Sequence, residues 1–247
     1  MDNEDEFFNF LKTHNIDVTE TFLKSCHSLK RDPIYKIYRN DRLEGAGGGV
    51  AIVIRSYIKH KLIPSFNTRV IGNLGIEIET NMGKFIIIAA YLPFQCNGEQ
   101  KSFFKGDLQQ LTRNKSKFWI VGDFNSKHHS WNNSKSNFNR SILFDDCSAG
   151  YYTIEHPNSP TCFSSIRNPS TIDLVLTDLG QLCCQSGTHA DFESDHLPVT
   201  FSISQDAIEN PSKSVFNFQK ADWDRYQNSV ERESDVNLSV NTKSDID

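Results

Sequence analysis

No apolar run in this sequence is longer than the eight residues from Phe85 to Leu92. A helix crossing a bilayer needs about 20, so a membrane span is excluded. The opening Met1-Asp2-Asn3-Glu4-Asp5-Glu6 is acidic where a secretory leader is basic and then apolar. A place inside the cell is therefore expected. Cys26, Cys96, Cys147, Cys162, Cys183 and Cys184 include no CxxC pair, so reduced thiols are expected. Adjacent Cys183 and Cys184 diverge on any strand and are poorly placed to share a zinc ion. Excess positive charge is also missing. Lys and Arg total 26 against 31 Asp and Glu, a net charge of −5. Nine acidic and five basic residues follow Ser204, leaving 22 and 21 before it, so the main body is nearly neutral. A broad, sequence-independent nucleic-acid footprint is usually basic, and composition argues against one. An acidic site around a divalent cation is compatible with it.

What the chain does have is a core. Its 247 residues are 37% hydrophobic and 11% aromatic, which rules out wholesale disorder. Apolar residues at 7, 8, 10 and 11 predict a short amphipathic helix over Asp5–His14, and Ile16–Val18 is strand-like. Gly45–Gly49 reads as a loop or close-approach element before a buried strand, Val50–Arg55. Gly75–Thr80 alternates, Asn81-Met82-Gly83 turns, and Lys84–Tyr91 is a fully buried strand, so a hairpin is expected. Glu99–Arg113 and Ser141–Cys147 have helical patterns. Strands are predicted at Phe118–Val121, Thr171–Thr177 and Leu197–Ile203. No internal repeat is found. Sheets covered by helices, an α/β or α+β domain, fit this order. The domain is expected to span 1–204, followed over 205–247 by an acidic linker and tail. That tail carries a helix starting near Asp222 and ends in a polar, disordered stretch.

Polar residues cluster at the ends of the apolar strands, where open α/β sheets build their sites. Gly122-Asp123-Phe124-Asn125 follows Phe118–Val121. Asp173 lies within a buried strand and needs a partner there. Ser194-Asp195-His196 precedes Leu197-Pro198-Val199, and Glu20 follows Ile16–Thr19. Taken singly, an Asp after a strand is commonly a turn or cap, and a lone His a surface or satisfied core residue. Together they supply what phosphodiester hydrolysis needs. Carboxylates hold a cation against a phosphate oxygen, a base orients water, and a donor meets charge growing on phosphorus-bound oxygen.

At these residues the chain resembles the endonuclease/exonuclease/phosphatase superfamily. Within it, the chain is similar to the apurinic-type endonuclease domain of non-LTR, jockey-like retrotransposon polyproteins. Thr19-Glu20-Thr21-Phe22-Leu23, Gly47-Gly48-Gly49-Val50-Ala51, Ala90-Tyr91-Leu92-Pro93, Gly122–His128, Ile172-Asp173-Leu174-Val175 and Ser194-Asp195-His196-Leu197-Pro198 carry the likeness in order, over roughly residues 5–203. It implies a DNase I-like four-layer α-β-β-α sandwich of two mixed sheets. The implied activity is DNA nicking with Mg²⁺ or Mn²⁺ to leave a 3′-hydroxyl primer. The implied partners are DNA and a fused reverse transcriptase, absent from this sequence, with a nuclear location and no membrane. An abasic-site nuclease, another superfamily phosphodiesterase and an inactive remnant are the alternatives.

The resemblance also implies roles. Glu20 is the main metal carboxylate, with Asp195 near the metal. Asp123 positions or deprotonates water, and Asn125 bonds the scissile phosphate. His196 donates to the phosphate, oriented by Asp173, and Tyr91 points toward phosphate or leaving group unless it merely packs in its strand. Substrate contacts are expected at Asn139, Thr161, Ser165 and His128, although Thr161 and Ser165 equally suit ordinary strand hydroxyls. Trp131 is expected to be structural or near DNA. Lys101, Lys105, Arg113, Lys115 and Lys117 read as a solvated helix face. Relatives begin with a strand bearing a Trp-Asn-like motif, and only nineteen residues precede Glu20 here. A missing first strand, an N-terminally truncated sandwich and weak or absent activity are therefore expected.

Overall fold

Branched apolar residues build the centre of each sheet. Val50–Arg55 (β3) is an unbroken apolar run up to its last residue, and it pairs antiparallel with Ile16–Glu20 (β1) on one side and Tyr35–Asn40 (β2) on the other. Val50, Ile52 and Ile54 point to one face and are at most 1% exposed. That face packs on Leu74, Ile76 and Ile78 and on Phe85, Ile87 and Ala89 of a second sheet. Truncating one of these fully buried side chains to Ala typically costs about 2–5 kcal/mol. In this computed structural model the described residues are 16–20, 32–41, 48–93, 98–115, 117–133, 137, 139–163, 168–179, 183–188, 194–203 and 221–234.

The second sheet has six strands: His60–Ile63 (β4), Gly72–Thr80 (β5), Gly83–Tyr91 (β6), Phe118–Asp123 (β7), Thr153–Glu155 (β8) and Asp173–Thr177 (β9). Their order is β4-β5-β6-β7-β9-β8. All neighbours are antiparallel except β6 and β7, so the sheet is mixed while the smaller one is antiparallel. A parallel pair needs a crossover, and α1 (Gly98–Thr112) supplies it. Phe104, Leu108 and Leu111 of α1 and Leu143 of α2 (Asn139–Ser148) cover Ile88, Ala90, Phe118, Ile120, Leu174 and Leu176 on the outer face. Period-two burial on both faces explains why these strands read as continuous apolar runs.

The result is an α/β sandwich, helices on a mixed sheet on a second sheet. The expected helix over 5–14 lies outside the described residues, as does the end of the tail. Cys183–Thr188 (β10) and Val199–Ile203 (β11) form a separate two-stranded ribbon, and Phe201 packs against the inter-sheet core. The expected hairpin is β5–β6, turned by Asn81-Met82 with Gly83 at φ 102°. Buried Asp107 of α1 accepts the amides of Arg69 (3.0 Å), Val70 (2.7 Å) and Ile71 (3.0 Å), which fastens the loop entering β5. Cys147 and Cys162 are free thiols. Among the described residues no helix is long and apolar enough to cross a membrane.

The chain divides into two compact units, Met1–Asn210 and Pro211–Asp247. In the second, Trp223–Ser234 forms α3. Asp222 caps it, its carboxylate accepting the Arg225 amide at 3.0 Å, as an N-cap acid does.

Candidate active site

The three central strands of the larger sheet change character at one end. Facing the smaller sheet, Ile87, Trp119 and Thr177 form one cross-strand row, and Ala89, Val121 and Val175 the next. The following row is Tyr91, Asp123 and Asp173. Directly opposed residues share a face, so the apolar interior ends in a phenol between strands and two carboxylates side by side. Two like charges in register repel, and a cation is needed beside them.

Gly122 lets β7 reach this row. Its φ is +151°, and a Cβ built there falls 1.9 Å from the Ala90 carbonyl oxygen. Beyond it, Asp123 is only 5% exposed. The Asn125 amide donates to Asp123 Oδ1 at 2.7 Å and Asn125 Nδ2 to Oδ2 at 2.8 Å. Nδ2 also donates to the Leu92 carbonyl at 3.0 Å. Asn125 adopts a left-handed backbone (φ 43°), which Asn tolerates better than most side chains. Its backbone N–H and one side-chain hydrogen thus hold Asp123 and the other side-chain hydrogen goes to Leu92 O, where a phosphate contact was expected. Asn137, a residue that sequence reasoning missed, clamps the same loop by donating to Asn125 O at 2.6 Å and accepting from Lys127 N at 3.0 Å.

The required cation is His196. The Phe163 amide donates to Asp195 O and the Leu197 amide to Thr161 O, both at 2.7 Å, which pairs Cys162 with His196 across an isolated antiparallel bridge. In such a pair, flanked by its hydrogen bonds, side chains come especially close. His196 Nδ1 lies 3.2 Å from Asp173 Oδ2 and 3.4 Å from Oδ1. Burial pushes the imidazole pKa down. Hydrogen bonds to Asp173 and Cys162, with the charges of Asp173 and Asp123, outweigh it and hold the value up at about 11, against an ordinary 6.5. The imidazolium offsets the two carboxylates.

Thr161 supports the same pair from below. It is fully buried, and its hydroxyl accepts the amides of Ile172 at 3.1 Å and Asp173 at 3.3 Å. This is the ordinary strand-hydroxyl alternative rather than a phosphate-facing group. His128 is half-buried against Phe144 and Trp131, with ring centroids at 4.5 and 4.9 Å, and its Nδ1 accepts the Ser130 amide at 3.1 Å. Trp131 is buried and donates to Ser126 O at 2.9 Å, so it is a packing residue. Asn139 starts α2, and only its backbone is described. Ser165 lies outside the described residues.

Glu20 is described through its backbone alone. It pairs with Val50, which also pairs with Asn40. Asn40 Nδ2 donates at 2.8 Å to Asn73 O, and Asn73 sits opposite Ala90, next to Tyr91. Glu20 therefore stands at the same end of the sandwich as the Tyr91–Asp123–Asp173 row. Asp195 is exposed beside His196. A set of carboxylate oxygens at one end of a sheet suits a hard divalent ion such as Mg²⁺ or Mn²⁺. Asn40 and Asn137 carried no signal in the sequence, since short polar residues at strand ends and in loops are common.

Comparison with known proteins shows what the chain is similar to. Residues 85–200 match the model of a family described as endonuclease-reverse transcriptase. The RNA-directed DNA polymerases from mobile element jockey of Drosophila funebris and of Drosophila melanogaster are each 27% identical over 96% of this chain and 26% of their own length. The chain thus spans about a quarter of these curated relatives. Among solved structures, the endonuclease domain of TRAS1, a telomere-specific non-LTR retrotransposon, superposes with a TM-score of 0.61 at 14% identity, covering 84% of this chain and 92% of that one. A 3′-5′ exonuclease from Neisseria meningitidis gives 0.53 at 15% identity, covering 81% and 93%. These likenesses establish the DNase I-like fold.

Proposed function

We propose, from the match of residues 85–200 to the family described as endonuclease-reverse transcriptase and from the likeness to the TRAS1 endonuclease domain, that the chain is an endonuclease of the non-LTR retrotransposon branch of the endonuclease/exonuclease/phosphatase superfamily, a metal-dependent phosphodiesterase that nicks DNA. The observation that carries it is the row Tyr91–Asp123–Asp173 with the His196 imidazolium against its carboxylates. Asp123, fixed through both oxygens by Asn125, orients a water and accepts its proton as the water oxygen attacks phosphorus. His196 turns its second nitrogen, Nε2, to the phosphate and donates to the non-bridging oxygen on which charge grows. Asp173 keeps that ring charged and aimed, and Thr161 holds the Asp173 backbone. Tyr91 offers its hydroxyl toward the leaving oxygen. Breakage of the bond from phosphorus to the 3′ oxygen leaves a 3′-hydroxyl. Glu20 and Asp195 would hold Mg²⁺ or Mn²⁺, which when bound supplies Lewis-acid polarisation of the phosphate. The chain's place beside a reverse transcriptase, with nuclear DNA as substrate, belongs to the same reading.

The test is conversion of supercoiled plasmid to open circle with Mg²⁺, with an abasic oligonucleotide and a phospholipid in parallel. Asp123→Asn should lower plasmid nicking by about 10²–10³. Nicking that survives Asp123→Asn would overturn the assignment, and so would its complete absence from the native chain. Turnover of the lipid alone would change the substrate class.

A further inference from the structure

Beside the carboxylate row lies a group of ligands of different chemistry. Cys162 Sγ, an Asp195 carboxylate oxygen and a His196 ring nitrogen all fall within 4.8 Å of one another. The bridge that pairs Cys162 with His196 builds this cluster, since the same hydrogen bond from Phe163 N to Asp195 O fixes the residue before the histidine. Cys162 is buried at 9% exposure, and Asp195 stands exposed at the rim. In the phosphodiester chemistry proposed above the thiol touches no reacting atom and serves only as a neighbour of His196.

We infer that Cys162, Asp195 and His196 form a site for a thiophilic divalent ion of the Zn²⁺ class, and that filling it blocks nicking. Sulfur, imidazole and carboxylate are a donor set that Zn²⁺ accepts and Mg²⁺, which demands oxygen, refuses. Tetrahedral ligands around Zn²⁺ stand about 3.3–3.8 Å apart, given bonds of about 2.0–2.3 Å. The three ligand atoms, within 4.8 Å of one another, draw together to reach that spacing, and exposed Asp195 is free of the packing that restrains Cys162. Three protein ligands leave the fourth position open to water or phosphate. The histidine is also supported from behind by Asp173. With Nδ1 engaged by Asp173 Oδ2 at 3.2 Å, Nε2 is the coordinating nitrogen, and a carboxylate behind a ligating histidine orients the ring and strengthens the bond. On binding, the thiol and Nε2 each release a proton and the sulfur binds as thiolate. Nε2 cannot hold an ion and donate to a phosphate at once, so the ion displaces that contact. Binding itself does not depend on the nuclease reading; the block of nicking does.

Cobalt(II) titration of the full chain tests the site directly. The native protein should develop a sulfur-to-cobalt charge-transfer band in the near ultraviolet, removed by Zn²⁺ but not by Mg²⁺, which competes for Asp195 alone. Cys162→Ala should lose the band although the other five cysteines remain, and Asp195→Asn should weaken cobalt binding by about tenfold or more. Cys162→Ser, closer in size, guards against misfolding, with an unchanged melting temperature as its control. In the nicking assay, Cys162→Ala and Cys162→Ser, each measured against its own Zn²⁺-free rate, should need at least about tenfold more Zn²⁺ for half-inhibition. A band that persists in both cysteine variants, or equal Zn²⁺ sensitivity, would overturn the inference. If no chain nicks, the cobalt arm still decides the site.

Discussion

His196 is held 3.2 Å from Asp173 by a backbone bridge to Cys162. The bridge sets where the imidazole stands, and the carboxylate sets its charge. Asp173→Asn removes the charge and keeps the shape. The imidazole pKa should fall from about 11 toward 6.5, as read by the pH dependence of its ring proton resonances. A raised folded-state pKa favours folding below the unfolded value and loses that contribution as pH rises through the folded value. The native protein should therefore keep this stabilisation below pH 6.5 and shed it toward pH 11, while the variant shows a flatter profile. Nicking should drop by about 10²–10³, chiefly in kcat.

Asn125 spends both amide hydrogens inside the protein, on Asp123 and on Leu92 O. Asn125→Ala leaves a buried carboxylate oxygen and a carbonyl with fewer donors. It should cost about 1–3 kcal/mol in denaturant unfolding. Asn125→Asp should be worse, since it sets a second carboxylate against Asp123.

Gly122 admits no side chain. With the Ala90 oxygen 1.9 Å from where its Cβ would be, Gly122→Ala must push β6 and β7 apart at the site. A loss of about 3 kcal/mol or more is expected in thermal unfolding. Gly106, with nothing near its Cβ position, should accept Ala with no loss.

Asp146 on α2 is a charge at a cost. It is buried, and Lys105 Nζ stands 3.8 Å away. Burial, aided by Asp145 and opposed by Lys105, raises its pKa above 3.8. The raised value means the folded state prefers the protonated acid. That preference stabilises below pH 3.8 and is lost as pH rises through the folded value. Asp146→Asn should therefore raise Tm at pH 7 by about 1–3 °C, and the gain should vanish below pH 4.

Much of this was legible in the chain, for a physical reason. Strands buried on both faces write themselves as apolar runs, so β3, β6, β7 and β9 were readable, and α1 and α2 showed their stripes. β2, β4, β8 and β10 are short or polar, and only their partners make them strands. At the site, Asp123, Asp173 and His196 stood out because acids at the ends of buried strands need explanation. The commitments of Asn125 and Thr161 to neighbouring backbone were hidden, because a hydrogen-bond partner depends on distances that spacing in the chain does not encode. Cys162 was noted only as one thiol among six. Its pairing with His196 arises from an isolated bridge, which leaves no periodic trace.

That bridge has a further consequence. Two amide hydrogen bonds, from Phe163 to Asp195 and from Leu197 to Thr161, keep the imidazole on station, and among the described residues no regular ladder continues them. Fraying there would undock the histidine while leaving both sheets whole, so competence of the site can fluctuate independently of global unfolding.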